Sequence, residues 1–225
     1  AGGMLHGRRS EGKAKIWYFT KPGNANAIFD QPPTQLKLAG EVGVENRSFD
    51  GGAAAGITYH NGFIYYSSFQ KVFEATSTKR AGFGMNILKI PVIKRNNGSY
   101  EITSSTAAGF KHYEFRNEDY SYLDVSIAVD VFHNVAINFI RLPRSLSSSA
   151  LPQIRCKVKF NQEDNWRASR LIKEWGNASD GGKRHVHYSW IIKDPYSINQ
   201  FWMAQAFKNN NREGTWVDFF SLSDY

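Results

Sequence analysis

Two histidines, His185 and His187, stand two residues apart behind Gly181-Gly182-Lys183-Arg184. On a strand that spacing puts both rings on one face, where they could share a metal ion. The surrounding sequence offers no third ligand, so the pair reads as ordinary loop histidines, and neither a metal nor another cofactor is expected. Cys156 is the single cysteine and excludes an internal disulfide. It lies among the alternating residues Ile154-Arg155-Cys156-Lys157-Val158 with no base beside it, which fits a buried structural thiol better than a nucleophile. Asn-x-Ser sequons at Asn46, Asn97 and Asn177 fall in expected turns or loops, where glycans are tolerated if a eukaryotic cell secretes the chain.

The formal net charge is +8. Its basic pairs, Arg8-Arg9, Lys79-Arg80, Lys94-Arg95 and Lys183-Arg184, are scattered through loops. No recognition helix, zinc-ligand spacing or RNA-binding signature accompanies them, which argues against sequence-specific nucleic-acid binding. An acidic polysaccharide or another anionic surface satisfies the same electrostatics. No segment approaches the roughly 18 apolar residues of a membrane span. The opening Ala1-Gly2-Gly3 has no apolar signal core and is expected of a chain already processed or trimmed.

The elements that must position these residues follow a repeat. An apolar run, a tight turn and a second apolar run occur three times: 56–69 around Asn61-Gly62, 125–141 around Phe132-His133-Asn134, and 188–207 around 195–199. Aligning Ile57, Ile127 and Ile191 gives steps of 127 − 57 = 70 and 191 − 127 = 64 residues. β-Branched and aromatic residues at these positions argue for hairpins, and Asn-Gly suits a two-residue turn with positive φ at both centres. Further strands are expected at Met85–Ile93, Tyr100–Ser104, Pro152–Phe160 and Thr215–Leu222. The Trp166–Trp175 segment is read as a strand too, although Arg170–Glu174 could form a helical turn. Lys15–Thr20 and Gln35–Ala39 look like the third and fourth strands of a unit lacking its first two.

The expected fold is all-β: a β-propeller with about three four-stranded blades visible, part of a ring of about six. A β-sandwich or jelly roll is the alternative. The organisation expected is a single propeller segment: 1–45 the outer strands of a preceding blade, 46–110 a blade, 111–180 a blade and 181–225 an incomplete blade.

Two stretches carry a family resemblance. Tyr120-Ser121-Tyr122-Leu123-Asp124-Val125-Ser126-Ile127-Ala128-Val129-Asp130 with Asn134–Phe139 resembles a blade opening. His187–Pro195, with Phe201-Trp202-Met203-Ala204 and Gly214-Thr215-Trp216-Val217, resembles another. Both are similar to stretches of secreted bacterial proteins with sialidase-like propellers, over roughly residues 50–222. The resemblance implies a propeller in an extracellular setting and leaves activity open, since one fold hosts many functions. The Ser-x-Asp-x-Gly-x-x-Trp turn of sialidases is absent. By analogy with that family, Arg80, Arg116 and Arg141 are candidate carboxylate clamps, Glu74 or Asp124 candidate acids, and Tyr122 or Tyr188 candidate nucleophiles. No spacing ties them together.

Binding is the favoured function. Tyr59, His60, Tyr120, Tyr122, Tyr188 and Trp190 lie at or near the expected innermost strands, where rings stack on sugars while Arg80 and neighbouring polar groups supply hydrogen bonds. The partner expected is a glycan or acidic surface ligand. A glycoside hydrolase and a structural subunit that pairs strand edges between chains, or with the remainder of a longer chain, are the alternatives.

Overall fold

The computed structural model describes residues 3–5, 13–19, 36–43, 56–97, 99–103, 106–175, 189–209 and 212–225. Within them the chain is all-β and every strand pairing is antiparallel. Strands β1 (Gly3–Leu5), β2 (Lys13–Phe19) and β3 (Leu36–Gly43) form one sheet in that order. The next runs β4 (Gly56–His60), β5 (Phe63–Phe73), β6 (Gly82–Lys94) and β7 (Tyr100–Ile102), with β8 (Lys111–Phe115) also paired to β6. A third joins β9 (Tyr120–Val129), β10 (Val135–Pro143), β11 (Gln153–Lys159) and β12 (Arg170–Glu174). The last joins β13 (Ser189–Lys193), β14 (Gln200–Asn209) and β15 (Arg212–Ser221). A short 3₁₀ turn, Leu222–Asp224, follows, capped by Ser221.

Hairpin geometry follows the turn residues. Asn61 and Gly62 take φ of 41° and 81°, as a two-residue primed turn requires. The longer turns each use an aspartate at the strand end. Asp130 accepts from Phe132 N and Asn134 N, both at 2.8 Å. Asp194 accepts from Tyr196 N at 2.7 Å and Trp202 Nε1 at 2.8 Å. Each carboxylate replaces backbone partners that a wider loop would otherwise leave unpaired.

The sheets stack. β9 packs on β4, β5 and β6 on one side and on β13 on the other, while β3 and β1 approach β7 and β4. The inner strands of the two central sheets are therefore covered on both faces, and β5 and β10 show the longest runs of burial. On one face of the β4–β8 sheet Ile64, Tyr66, Leu88, Ile90 and Ile102 cluster. On the other, Tyr65, Met85 and Ile87 meet Val125, Ile127, Ile137 and Phe139. Beyond that, Ala136, Ile140, Ile154, Cys156 and Val158 meet Ile191, Phe201, Met203 and Phe220 of the last sheet. Strands covered on both faces read as continuous apolar runs rather than as alternation.

Arg170–Glu174 is strand β12, as read, and not the alternative helical turn, because its residues extend the β11 ladder through Gln153–Glu174 and Arg155–Leu171. Two details depart from the sequence expectation. Strand β8 is present where none was expected, sharing β6 with β7: β7 pairs Val92–Lys94 and β8 pairs Met85–Lys89. Its sequence, Lys-His-Tyr-Glu-Phe, is too charged to announce a strand, and packing of Tyr113 and Phe115 recruits it. The N-terminal strands gain β1, paired to β2.

Candidate functional site

The β4–β8 and β9–β12 sheets pack face to face until the turn ends of their strands, where they separate around a cleft of about 200 Å³. Tyr65, Lys89, Lys111 and Tyr113 line it from one sheet, His133 and Lys159 from the other, and Trp166 from the loop after β11.

The geometry of each group follows from register and turn. Lys89 and Lys111 are direct cross-strand partners on β6 and β8. The Lys89 ammonium lies 4.4 Å from the centre of the Phe63 ring. Lys159 ends β11 and donates to Phe160 O at 3.2 Å and to Glu163 O, which holds the 160–166 loop in place. Asn134 Oδ1 fixes the same loop by accepting from Asn161 N at 2.9 Å. Trp166 sets its edge against Tyr113 and Phe115 at 5.7 and 5.5 Å. His133 sits in the left-handed region, φ 65°, its Nδ1 2.8 Å from the Tyr65 hydroxyl and its ring 4.7 Å from that of His60.

Electrostatics in the cleft are those of crowded cations. Burial, followed by Lys159 and Lys111, holds Lys89 below the usual lysine range. Burial does the same to Lys159, assisted by Lys111 and opposed by Asp164 and Glu163. His133 is pushed down by burial, then by His60 and Lys89, against the pull of Asp130. Burial raises the Tyr65 phenol far above its ordinary value, so it remains a neutral hydroxyl. The hydroxyl and Nδ1 share one hydrogen bond, and which of the two donates sets the tautomer of His133. Of the two carboxylates on the rim, Glu163 is paired with Arg167.

The residues expected from sequence are distributed differently. His60 reaches the edge of the cleft through His133, while neighbouring Tyr59 is exposed and accepts from Gly62 N at 3.2 Å. Tyr120 and Tyr122 belong to a second group, with the Arg141 guanidinium 3.5 Å over Tyr120 and Tyr122 edge-on to Phe139 at 5.6 Å. Arg80 donates to Pro143 O at 3.2 Å in a loop. Arg116 pairs with Glu114. Glu74 lies beyond the far end of β5, exposed and 2.7 Å from Lys71. Asp124 is buried at a β-bulge, where it and Val125 face Phe139, with φ 50°. Trp190 is half exposed on the outer face of the last sheet. Asn97 is exposed in the β6–β7 turn and accepts from Ser99 N at 2.9 Å. Tyr188, His185, His187, Asn46 and Asn177 lie outside the described residues. Lys89, Lys111, Lys159, Tyr113 and Trp166 went unnoticed in the sequence. Their one local signal is the alternation of Lys157 and Lys159 with Cys156 and Val158, which puts both ammonium groups on one face of β11.

Among the described residues no helix is long and apolar enough to cross a membrane, and no cluster of three or more metal-ligating side chains forms. No known protein family, curated protein or solved structure matches the chain.

Proposed function

We propose that the chain is a segment of an extracellular β-propeller that works as a binding module, taking a glycan or another acidic surface ligand. The propeller reading is supported by the serial stack of antiparallel meanders, in which the first strands β4, β9 and β13 lie side by side. The outward face of the last sheet supports it as well. Trp190, Ile192, Trp202, Val217 and Phe219 are all between 41% and 60% exposed there, with the Asp194 carboxylate at the edge of the patch bonded to Trp202. A patch of that kind on a basic chain asks for a cover, and a following blade supplies one.

The observation that carries the binding reading is the convergence of ammonium groups and aromatic rings on one inter-sheet cleft. Cations there neutralise an acidic ligand while Tyr113 and Trp166 offer faces and edges to a ring. The hydrolase reading has weaker support. Glu163 and Asp164 are neighbours on one loop, whereas a glycosidase pair flanks the scissile bond from two sides. A glycan array probed with the chain and with its Lys89→Gln/Lys111→Gln form tests the proposal. Retention of acidic glycans that the double variant loses is the expected result; equal retention by both sinks it.

The assembly reading keeps one specific support, the same apolar outer face. It predicts self-association that Phe219→Lys abolishes, measured by light scattering after gel filtration.

A further inference from the structure

We infer that the cleft takes a doubly charged phosphate monoester carried on a sugar ring, an inference that rests on the binding reading above. Lys89 and Lys111 stand directly opposite one another on β6 and β8. Like charges in that relation destabilise a sheet, yet among the described residues neither ammonium has a hydrogen-bond or ion-pair partner, Lys89 meeting only the Phe63 and Tyr65 rings. Lys159, the third cation, is held by two carbonyl oxygens of its own loop. It shapes the wall and adds charge, leaving Lys89 and Lys111 free to contact a ligand.

Charge and size then narrow the ligand. Among the described lining residues three ammonium groups face one carboxylate not engaged by an arginine, that of Asp164, which leaves two positive charges to compensate. A carboxylate sugar brings one negative charge and leaves an ammonium unmatched. A phosphate monoester brings about two near neutral pH, with several oxygens that both lysines can share. The volume of about 200 Å³ equals that of roughly seven liquid waters at about 30 Å³ each. That holds a phosphate and part of one ring, with Tyr113 and Trp166 beside the ring, so a single terminal unit of a longer glycan is what enters.

Titration calorimetry at low salt tests this with glucose 6-phosphate, inorganic phosphate and glucuronate as probes. Glucose 6-phosphate is expected to bind about ten-fold more tightly than glucuronate, and to lose about ten-fold in each of Lys89→Gln and Lys111→Gln, the scale of one charge-assisted hydrogen bond. Each variant also relieves the cross-strand repulsion. Both are therefore expected to melt no lower than the parent, and to lose the phosphate-induced rise in melting temperature. Glucuronate binding as tightly as glucose 6-phosphate would overturn the phosphate assignment while acidic glycans on the array still supported the broader reading. Inorganic phosphate binding as tightly as glucose 6-phosphate would overturn the sugar. Absence of any binding, in calorimetry and on the array alike, overturns both.

Discussion

Arg144 is a residue whose removal should cost the fold heavily. It is 4% exposed and its cation is satisfied by backbone oxygens: Nε donates to Arg80 O at 3.0 Å, Nη1 to Glu118 O at 2.7 Å and Nη2 to Glu74 O at 3.2 Å. The guanidinium carbon also lies 4.7 Å from the centre of the Phe73 ring. Three connections that leave the sheets at the same end are thus tied by one planar group. In Arg144→Met the stem still packs, but three carbonyls lose a charged donor. A hydrogen bond to a charged group contributes about 1.5–3 kcal/mol. The loop carbonyls regain some water, so the three terms do not add fully, and the expected loss is about 3–5 kcal/mol. For a chain of this size that lowers Tm by roughly 10 °C. Arg144→Lys offers a single point of charge, which cannot span three divergent acceptors, and should recover less than half of the loss. Urea unfolding followed by tryptophan fluorescence measures both variants, with the midpoint moving at constant m. A loss below about 1 kcal/mol for Arg144→Met would refute the idea that these carbonyls depend on the guanidinium.

Gly82 belongs to the same junction: a Cβ there would sit 2.7 Å from Arg144 Nε and 2.7 Å from Phe73 Cδ2. Gly82→Ala should therefore lower Tm although the position is in a strand, and no change in Tm would mean that the guanidinium has room to yield. Burial pushes the Cys156 thiol up to about 11, against the hydrogen bond to the Tyr225 hydroxyl. Iodoacetamide at about pH 8 should leave the native thiol unmodified and label it in urea; rapid native labelling would contradict its burial. His133 has a folded pKa below its ordinary 6.5, so between those values the unfolded chain binds more protons and stability rises with pH, being lost as pH falls through the window. His133→Asn keeps a residue tolerant of positive φ and should flatten that slope in urea titrations run from about pH 5 to 7. An unchanged slope would assign the dependence to other groups. Phe201 is fully buried and stacks on Phe220 at 5.6 Å, so Phe201→Ala should cost about 3–5 kcal/mol in the same unfolding assay.

The hairpins were legible because their signals are local. Asn61-Gly62 requires a tight turn, and the runs on either side of Asp130 and Asp194 are apolar for as long as a strand is buried. Strand β8 was not legible, because its lysine, histidine and glutamate hide a strand that forms through pairing with β6 and the packing of Tyr113 and Phe115. The cleft was illegible for a related reason. Its cations come from β6, β8 and β11, 22 residues apart at the first step and 48 at the second (Lys89, Lys111, Lys159), and they meet only where two sheets diverge. Tyr59 and His60 lie on β4, whereas the side chains that converge on the cleft come from β5, β6, β8 and β11 and from the turns and loops beside them.

Sheets buried on both faces raise a problem that the apolar pattern cannot solve. Shifting a strand by one residue exchanges its faces, and where both faces are apolar, as in β5 and β10, hydrophobicity barely distinguishes the two registers. The discriminating interactions must then be polar. A seam of such groups runs through the stack. Ser67 Oγ donates to Val125 O at 3.2 Å. Ser189 Oγ donates to Ser126 Oγ at 2.9 Å or to Asn138 Oδ1 at 3.1 Å, and Asn138 Nδ2 donates to Gln205 Oε1 at 3.3 Å. In the native register Ser126 faces Asn138 and Ser189 faces Gln205. A one-residue slip would turn Asn138 and Gln205 into apolar layers without partners, at about 1–3 kcal/mol for each group left unsatisfied. The same seam links sheet to sheet, so the register of one hairpin constrains the next. It is this transmitted register that holds the turn ends of β5 and β10 level, and with them Tyr65 and His133 on facing walls of the cleft.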